Sequence, residues 1–451
     1  MYTPHTDAEI QEMLAAIGAP SLDALSSLPS GLQIKERLDV APALAEADAY
    51  AHIKALADSN DAASKVSFLG AGAYRHYRPP AVPWFATRSE FLTAYTPYQA
   101  EASQGSLQAI FEWQTYICLL TGMDVSNASL YDGATAVVEA VIMAMHATGN
   151  KRVAISSTVH PMYRAVLNTY AAGMGIEVVE VPYGAQGATD LTQSEDALKG
   201  AACLIVQSPN FFGNIEDAGG ASALAHKNGA LSVNVTAEAL SLAVLKTPRD
   251  SGADIAVGEA QSFGLPIGYG GPYVGFVATT REHVRRLPGR LVGETTDVDG
   301  RRAFVLTLQG REQHIRRELA SSNICTNQAL CALIATVYLA TVGATGLRAI
   351  AAANLGKARE LCDAITSLTG FDRAFSAPFF NELCVRTPVP AATLAKRLEA
   401  RGILPGLPLS RFYPELSHHL LVCATEMTTT NDIRSLTAAL AEETTRAVAA
   451  V

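Results

Sequence analysis

Four stretches of the chain combine residue types and spacing that could do chemistry. The first is Gly258 to Phe276, GEAQSFGLPIGYGGPYVGF, which follows a strand-like run, Ala253 to Val257, and leads into a second strand at about Tyr273 to Thr279. Its polar turn carries Gln261 and Ser262, and its glycine-rich hairpin carries Gly270 and Gly271. The second is NASLYDGATA, Asn127 to Ala136, which places Asp132, Gly133, Ala134 and Thr135 where a helix through Val137 begins. Free backbone N–H groups and the positive end of the helix dipole make such a start an anion site, and small residues let an anion come close. The plainer reading is an N-cap by Asp132. Third, His160 follows the strand-like run Arg152 to Ser157, where its ring could stack on a flat heterocycle or serve as a structural hydrogen-bonder. Fourth, Glu238 follows a strand ending at Val235, where a carboxylate could pair with a heterocyclic nitrogen or be a solvated loop acid.

Each signal is weak alone, but their order along the chain is informative. A helix-start anion site, a ring-stacking candidate, an acid and a strand–hairpin with Gly-Gly-Pro follow one another as in a pyridoxal-phosphate (PLP) domain of the aminotransferase type. Such enzymes carry an imine-forming lysine in the turn before the hairpin. Here alignment on Gly270-Gly271-Pro272 puts Gln261 at that position and alignment on Asp254 puts Ser262 there. Neither side chain can form an imine, so the covalent anchor is missing. No Gx4GK[ST], HExxH, GxSxG or EF-hand loop occurs, which leaves the P-loop, zinc-protease, serine-hydrolase and calcium readings without support.

The elements that must position these residues read as α/β units. Candidate strands at Arg152–Ser157, Glu177–Val181, Cys203–Gln207, Leu231–Val235, Asp254–Val257 and Tyr273–Thr279 alternate with helical stretches, which predicts a large domain with a mostly parallel sheet. Ahead of it the first forty residues predict a helical arm, with a capping box at Thr6 and Glu9 before Ile10, Met13, Leu14 and Ile17. Ser67–Tyr74, Tyr77–Pro80 and Ala94–Gly105 are rich in glycine, proline and tyrosine and predict irregular loops with fixed turns, which could line a polar site or be ordered surface loops, the latter being the plainer reading. Leu291 to Asn327 is charged and reads as a connection, followed by a long apolar helix and, beyond Gly346, a second helix to about Leu368. The tail, strand 382–386, helix 391–400, strand 420–424 and helix 431–441, predicts a small α/β lobe. The expected division is a 1–66 arm, a 67–325 large domain, 326–370 connecting helices and a 371–451 C-terminal α/β domain.

The totals remove several partners. A chain of 451 residues with 49% hydrophobic and 17% charged residues can bury a large core, while a net charge of −9 argues against nucleic acid or an anionic membrane. Seven scattered cysteines without CxxC spacing fit reduced thiols, and the polar start MYTPHTDAEI has no signal-peptide pattern, so a cytoplasmic protein is expected. Thr326 to Leu347 matches the roughly 20 residues of a bilayer span, but its threonines, glycines and alanines lower its apolarity. A buried or interfacial helix is expected, with no membrane as partner.

Longer stretches carry a resemblance. SFLGAGAY, TAYTPYQAEASQG, NASLYDGATA, AQSFGLP with GGPYVGF, GRLVGETTDVDGRRAFVLTLQGREQHIRRE and SSNICTNQAL together resemble the α subunit (subunit 1) of two-subunit glycine decarboxylase, the P-protein of the glycine cleavage system. The resemblance covers nearly the whole chain. It implies PLP fold type I and a lysine-less subunit with no catalytic residue of its own, the lysine and covalently held PLP lying on a β-subunit partner, in an α2β2 assembly. It also implies the reaction of the complete enzyme: glycine loses CO₂ and the remaining aminomethyl group passes to the lipoyl group of H-protein. Active sites of this fold lie at dimer interfaces. Tyr95, Tyr98, Gln99, Gly270 and Gly271 are therefore expected at the rim of the partner's site, and Gly133, Ala134, Thr135, His160 and Glu238 around a vestigial pocket in this chain. There are departures: Ala100 and Ala102 stand where the family usually has Pro and Ile, and Glu238 stands near a usual Asp.

Two other readings compete. An autonomous PLP enzyme would need another lysine, and Lys246 lies on the wrong side of the strand 253–257. A scaffold or regulatory pseudoenzyme would bind a PLP-enzyme paralogue without contributing to its site.

Overall fold

The computed structural model describes residues 5–34, 38–92 and 95–449, so Ala94 and the first four residues lie outside it. Two units divide the chain, residues 1–63 and 64–451. In the first, Thr6 caps the helix Asp7–Ala16 through the expected capping box, its hydroxyl accepting from Glu9 N–H while the Glu9 carboxylate accepts from Thr6 N–H. A second helix runs from Glu46 to Asp58.

The second unit is built on a seven-stranded sheet. Its strands are β1 (Val125–Ser126), β2 (Arg152–Ser156), β3 (Glu177–Val181), β4 (Ala201–Gln207), β5 (Leu231–Thr236), β6 (Ile255–Glu259) and β7 (Gly275–Thr279), in spatial order β1-β7-β6-β5-β4-β2-β3. β6 through β3 run parallel, while β7 pairs antiparallel with both β6 and β1, so it alone is reversed. The two faces follow from side-chain alternation. Val153, Ile205, Val233, Val235 and Val257 pack on one face under the helices Gly133–Thr148 and Pro161–Met174. On the other, Leu204 and Val206 meet the helix Ala218–Lys227, while Ala256, Phe276 and Ala278 meet Trp113, Ile117 and Tyr338 of the helices Gln104–Thr121 and Ala329–Thr366.

Two expectations need correction. The charged stretch after Leu291 contains an antiparallel hairpin, Val292–Thr296 with Arg302–Leu306, rather than a plain connection. The apolar helix and its successor meet at Gly343, whose φ of +62° and ψ of 178° break the helical path, and not at Gly346. Ala329–Thr366 is long and apolar enough for a membrane span by composition, yet Cys331, Ala332, Ala335, Tyr338 and Leu339 are buried in the core beneath the sheet. The C-terminal strands Glu382–Arg386 and His419–Cys423 pair antiparallel and are covered by the helices Ala391–Glu399 and Thr430–Ala449.

Candidate functional site

The sequence-picked residues at the carboxyl ends of β2, β5 and β6 do converge, but on protein groups rather than on an open pocket. The loop Ser67–Tyr74 and the residues after it to Tyr77 thread among them, lining the polar network rather than lying on the surface, and Phe68 (0% exposed) and Tyr74 (3%) are core residues.

Gln261, one of the two candidates for the lysine position, is 1% exposed and bonds both sides of the Tyr74 backbone: its Oε1 accepts from Tyr74 N–H at 2.9 Å and its Nε2 donates to Tyr74 C=O at 3.0 Å. The same Nε2 donates to Leu265 C=O at 2.9 Å. An amide supplies this donor–acceptor pair, which an ammonium cannot. Ser262 beside it is buried, with no partner for its hydroxyl among the described residues.

At the helix start Asp132 is the N-cap, accepting from Thr135 N–H at 2.7 Å. The Gly133 N–H that could meet an anion donates instead to Glu259 Oε2 at 3.0 Å, while Glu259 Oε1 accepts from Val274 N–H. Burial raises Glu259 to about 7 against those two hydrogen bonds. Tyr163 closes the approach, because a Cβ on Gly133 would lie 2.5 Å from its hydroxyl.

The His160 ring is stacked on Tyr163 with centroids 4.7 Å apart, and Phe211 meets it edge-on at 4.8 Å. Its Nε2–H donates to Ala71 C=O at 2.8 Å and its Nδ1 accepts from Met162 N–H, which fixes the neutral tautomer. Burial pulls its pKa down to about 4. Gly72 makes the close passage possible: its φ is +98°, and a Cβ there would lie 2.7 Å from His160 Nε2. Ala71, at φ +60°, is held in that costly conformation by Glu382, which accepts from its N–H at 2.6 Å, and by the bond to His160.

Glu238, 2% exposed, faces the ring of His76. His76 Nε2 lies 3.1 Å from Glu238 Oε2 and its Nδ1 2.9 Å from Glu426 Oε2. Burial alone would lower the His76 pKa, but the two carboxylates overcome it and hold the ring as an imidazolium with a pKa of about 9. Asn381 and Leu240 N–H supply further donors to Glu238. Tyr74 O–H donates to Glu382 at 2.7 Å, completing a closed network.

These contacts test whether PLP fits here, and it does not. Four of the groups that would recognise it have internal partners: an imidazolium stands against the acid, a carboxylate on the Gly133 N–H, the Tyr74 backbone on the Gln261 amide and a tyrosine ring on the histidine. Of the residues expected around a vestigial pocket, Gly133, Thr135, His160 and Glu238 have polar groups hydrogen-bonded within the chain, and Ala134 follows Gly133 in the first turn of the same helix. Sequence reasoning missed His76, Tyr163, Glu259, Glu382 and Glu426. Glu259 had a readable signal, a lone acid ending an otherwise apolar strand.

The residues expected at a partner's site lie elsewhere, on the surface. Tyr95 is 76% exposed and Tyr98 55%, the latter accepting from Arg290 Nη2 at 2.7 Å, and Gln99 and Gly270 are also exposed. Between Gly268 and Gly270, Tyr269 stands 93% exposed. A shallow groove lined by Phe91, Leu92, Tyr95, Ile110, Leu330 and Leu333 runs beside the first loop.

Comparison with known proteins agrees with the motifs. The family model of the glycine cleavage system P-protein matches residues 1–440. A probable glycine dehydrogenase (decarboxylating) subunit 1 from Moorella thermoacetica is 51% identical over 441 residues, covering 97% of this chain and 98% of that protein. A crystal structure of glycine decarboxylase (P-protein) of the glycine cleavage system, in inhibitor-bound form, superposes with a TM-score of 0.90 at 44% identity, covering 98% of this chain and 99% of the other. A Lactobacillus brevis glutamate decarboxylase at 14% identity and TM-score 0.68, covering 91% and 95%, shares the fold alone. The fold is that of the PLP-dependent fold type I enzymes, and the chain belongs to the P-protein family of the glycine cleavage system, among relatives named as its subunit 1.

Proposed function

We propose that this chain is the lysine-less subunit of a two-subunit glycine decarboxylase, assembled as α2β2 with a β subunit that carries PLP covalently. The complex decarboxylates glycine and passes the aminomethyl group to lipoylated H-protein. The observation that carries this reading is Gln261, locked to Tyr74 in the place of an imine-forming lysine. PLP on the partner supplies the electron sink that decarboxylation of an α-amino acid needs.

This chain contributes walls. Tyr95, Tyr98 and Gln99 present polar groups on an exposed loop, which suits the rim of a site completed across an interface, while the Gly270 and Gly271 N–H groups donate to the Ile267 and Gly268 carbonyls, so that turn offers its exposed backbone as shape rather than as free donors. A partner surface also accounts for the exposed apolar side chains of the first unit, among them Ile17, Leu22, Leu28 and Leu32. A pure scaffold would leave the rim residues without catalytic effect.

The reading is tested in two steps. The chain purified free of its partner is expected to have no glycine–bicarbonate exchange activity, and turnover in such a preparation would overturn it. In reconstituted complexes checked by gel filtration, Tyr95→Phe is expected to lower exchange tenfold or more, about 1.4 kcal/mol of transition-state stabilisation. An unchanged rate in a fully assembled complex would remove Tyr95 from the site.

A further inference from the structure

On the sheet face away from the Gly133 helix, β4 offers Leu204 and Val206 and β6 offers Ala256, each to its own apolar core. β5 between them offers Ser232, Asn234 and Thr236, all buried. Ser232 is satisfied by Ser222 at 2.8 Å. Asn234 (5% exposed) and Thr236 (1%) have no side-chain hydrogen-bond partner among the described residues. Polar side chains in the middle of a core strand cost free energy unless something meets them.

Both line a crevice of about 220 Å³, left where the connection from β5 to β6 crosses as the short turn Ala239–Ala243 instead of a full helix. With water occupying about 30 Å³, this is room for several solvent molecules or one small ligand. The other polar walls are rich in donors. Ala218 and Gly219 open the ten-residue helix Ala218–Lys227, and their N–H groups have no acceptor among the described residues. Lys246 and Ser251 close the opposite side. Two acids also line it: Glu216 accepts from Thr158, Thr189 and Asn210, and Asp217 caps Gly220, so their oxygens are turned to neutral donors although no cation pairs with them among the described residues.

We propose that this crevice binds a small oxyanion, a phosphate or a carboxylate, held by Lys246, the Ala218–Gly219 helix start, Asn234 and Thr236. The helix dipole and one ammonium supply positive potential that must outweigh the Glu216 and Asp217 carboxylates, and the strand residues supply directed hydrogen bonds. The site lies on the opposite sheet face from the helix that begins at Gly133, and it is independent of the decarboxylase reading.

The test is isothermal titration of the full-length chain, with whatever subunit co-purifies, using inorganic phosphate and, separately, acetate at constant ionic strength in chloride. Saturable uptake of one equivalent per chain is expected, and the arm that gives it identifies the ligand as phosphate or carboxylate. Lys246→Met and Asn234→Leu are each expected to weaken that uptake tenfold or more. Because Lys246 is exposed, its variant keeps the test decisive if Asn234→Leu fails to fold. No saturable heat from either anion, or equal affinity in wild type and Lys246→Met, would show that the crevice holds only water and overturn the proposal.

Discussion

Gln261→Lys, in the chain purified without its partner and incubated with PLP, is expected to give no covalent adduct that borohydride can fix. Supplying the amine does not make room for the cofactor. The Tyr74 N–H and C=O would lose their amide partner, and a buried N–H left without an acceptor costs about 1–3 kcal/mol. The cofactor would then have to displace the Glu259 carboxylate from Gly133 N–H, Tyr163 from His160 and His76 from Glu238. If each displacement costs only about 1.4 kcal/mol, three together weaken binding about a thousandfold. The variant is therefore expected to be less stable in denaturant than the parent and still inactive. Ser262→Lys serves as the control for the alternative alignment. A stoichiometric adduct in either variant, accompanied by exchange activity without the β subunit, would show that the internal substitutes are easily expelled.

The reach of sequence reasoning follows from how local each signal is. β2 to β7 were legible within about two residues at most of their ends, because a β-rich run between helical stretches is a property of a few adjacent residues. The capping box at Thr6 was legible for the same reason. The hairpin Val292–Leu306 was not, because its outer face carries charges that pair across the strands, such as Arg302 with Glu294 at 2.7 Å, and these read as a solvated connection. The course of Phe68–Tyr77 was least legible of all. Its glycines announced irregular backbone, but what they allow depends on Gln261 and Glu382, which lie 187 and 308 residues from Tyr74. That the turn before the hairpin holds no lysine could be read from Gln261 and Ser262, whereas the contacts of Gln261, His76 and Glu259 could be read only from their meeting in space.

These contacts also set a pH dependence. His76 is expected to stabilise the fold strongly at pH 6 and much less at pH 9. In the folded chain its pKa stands at about 9 against the ordinary histidine value of 6.5, so the imidazolium contributes fully below 6.5 and its contribution is lost as pH rises through about 9. The shift corresponds to roughly 3 kcal/mol. His76→Leu removes the cation from between Glu238 and Glu426 and leaves two buried carboxylates without it, a change that costs about 3–5 kcal/mol for buried pairs. Glu139, Glu259 and Glu382, each raised to about 7 chiefly by burial, destabilise progressively as pH climbs from 4.5 to 7 and then add no further slope. Above pH 7 the remaining slope belongs mainly to His76. Denaturant unfolding of parent and variant at pH 6, 7.5 and 9 separates the contributions, since groups out of contact with His76 cancel in the difference and only Glu238 and Glu426 change with it. The gap between the two chains is expected to be largest at pH 6 and to narrow steadily toward pH 9. A gap that stays constant across that range would mean that the His76 ring is neutral in the folded chain and only fills space between the two acids.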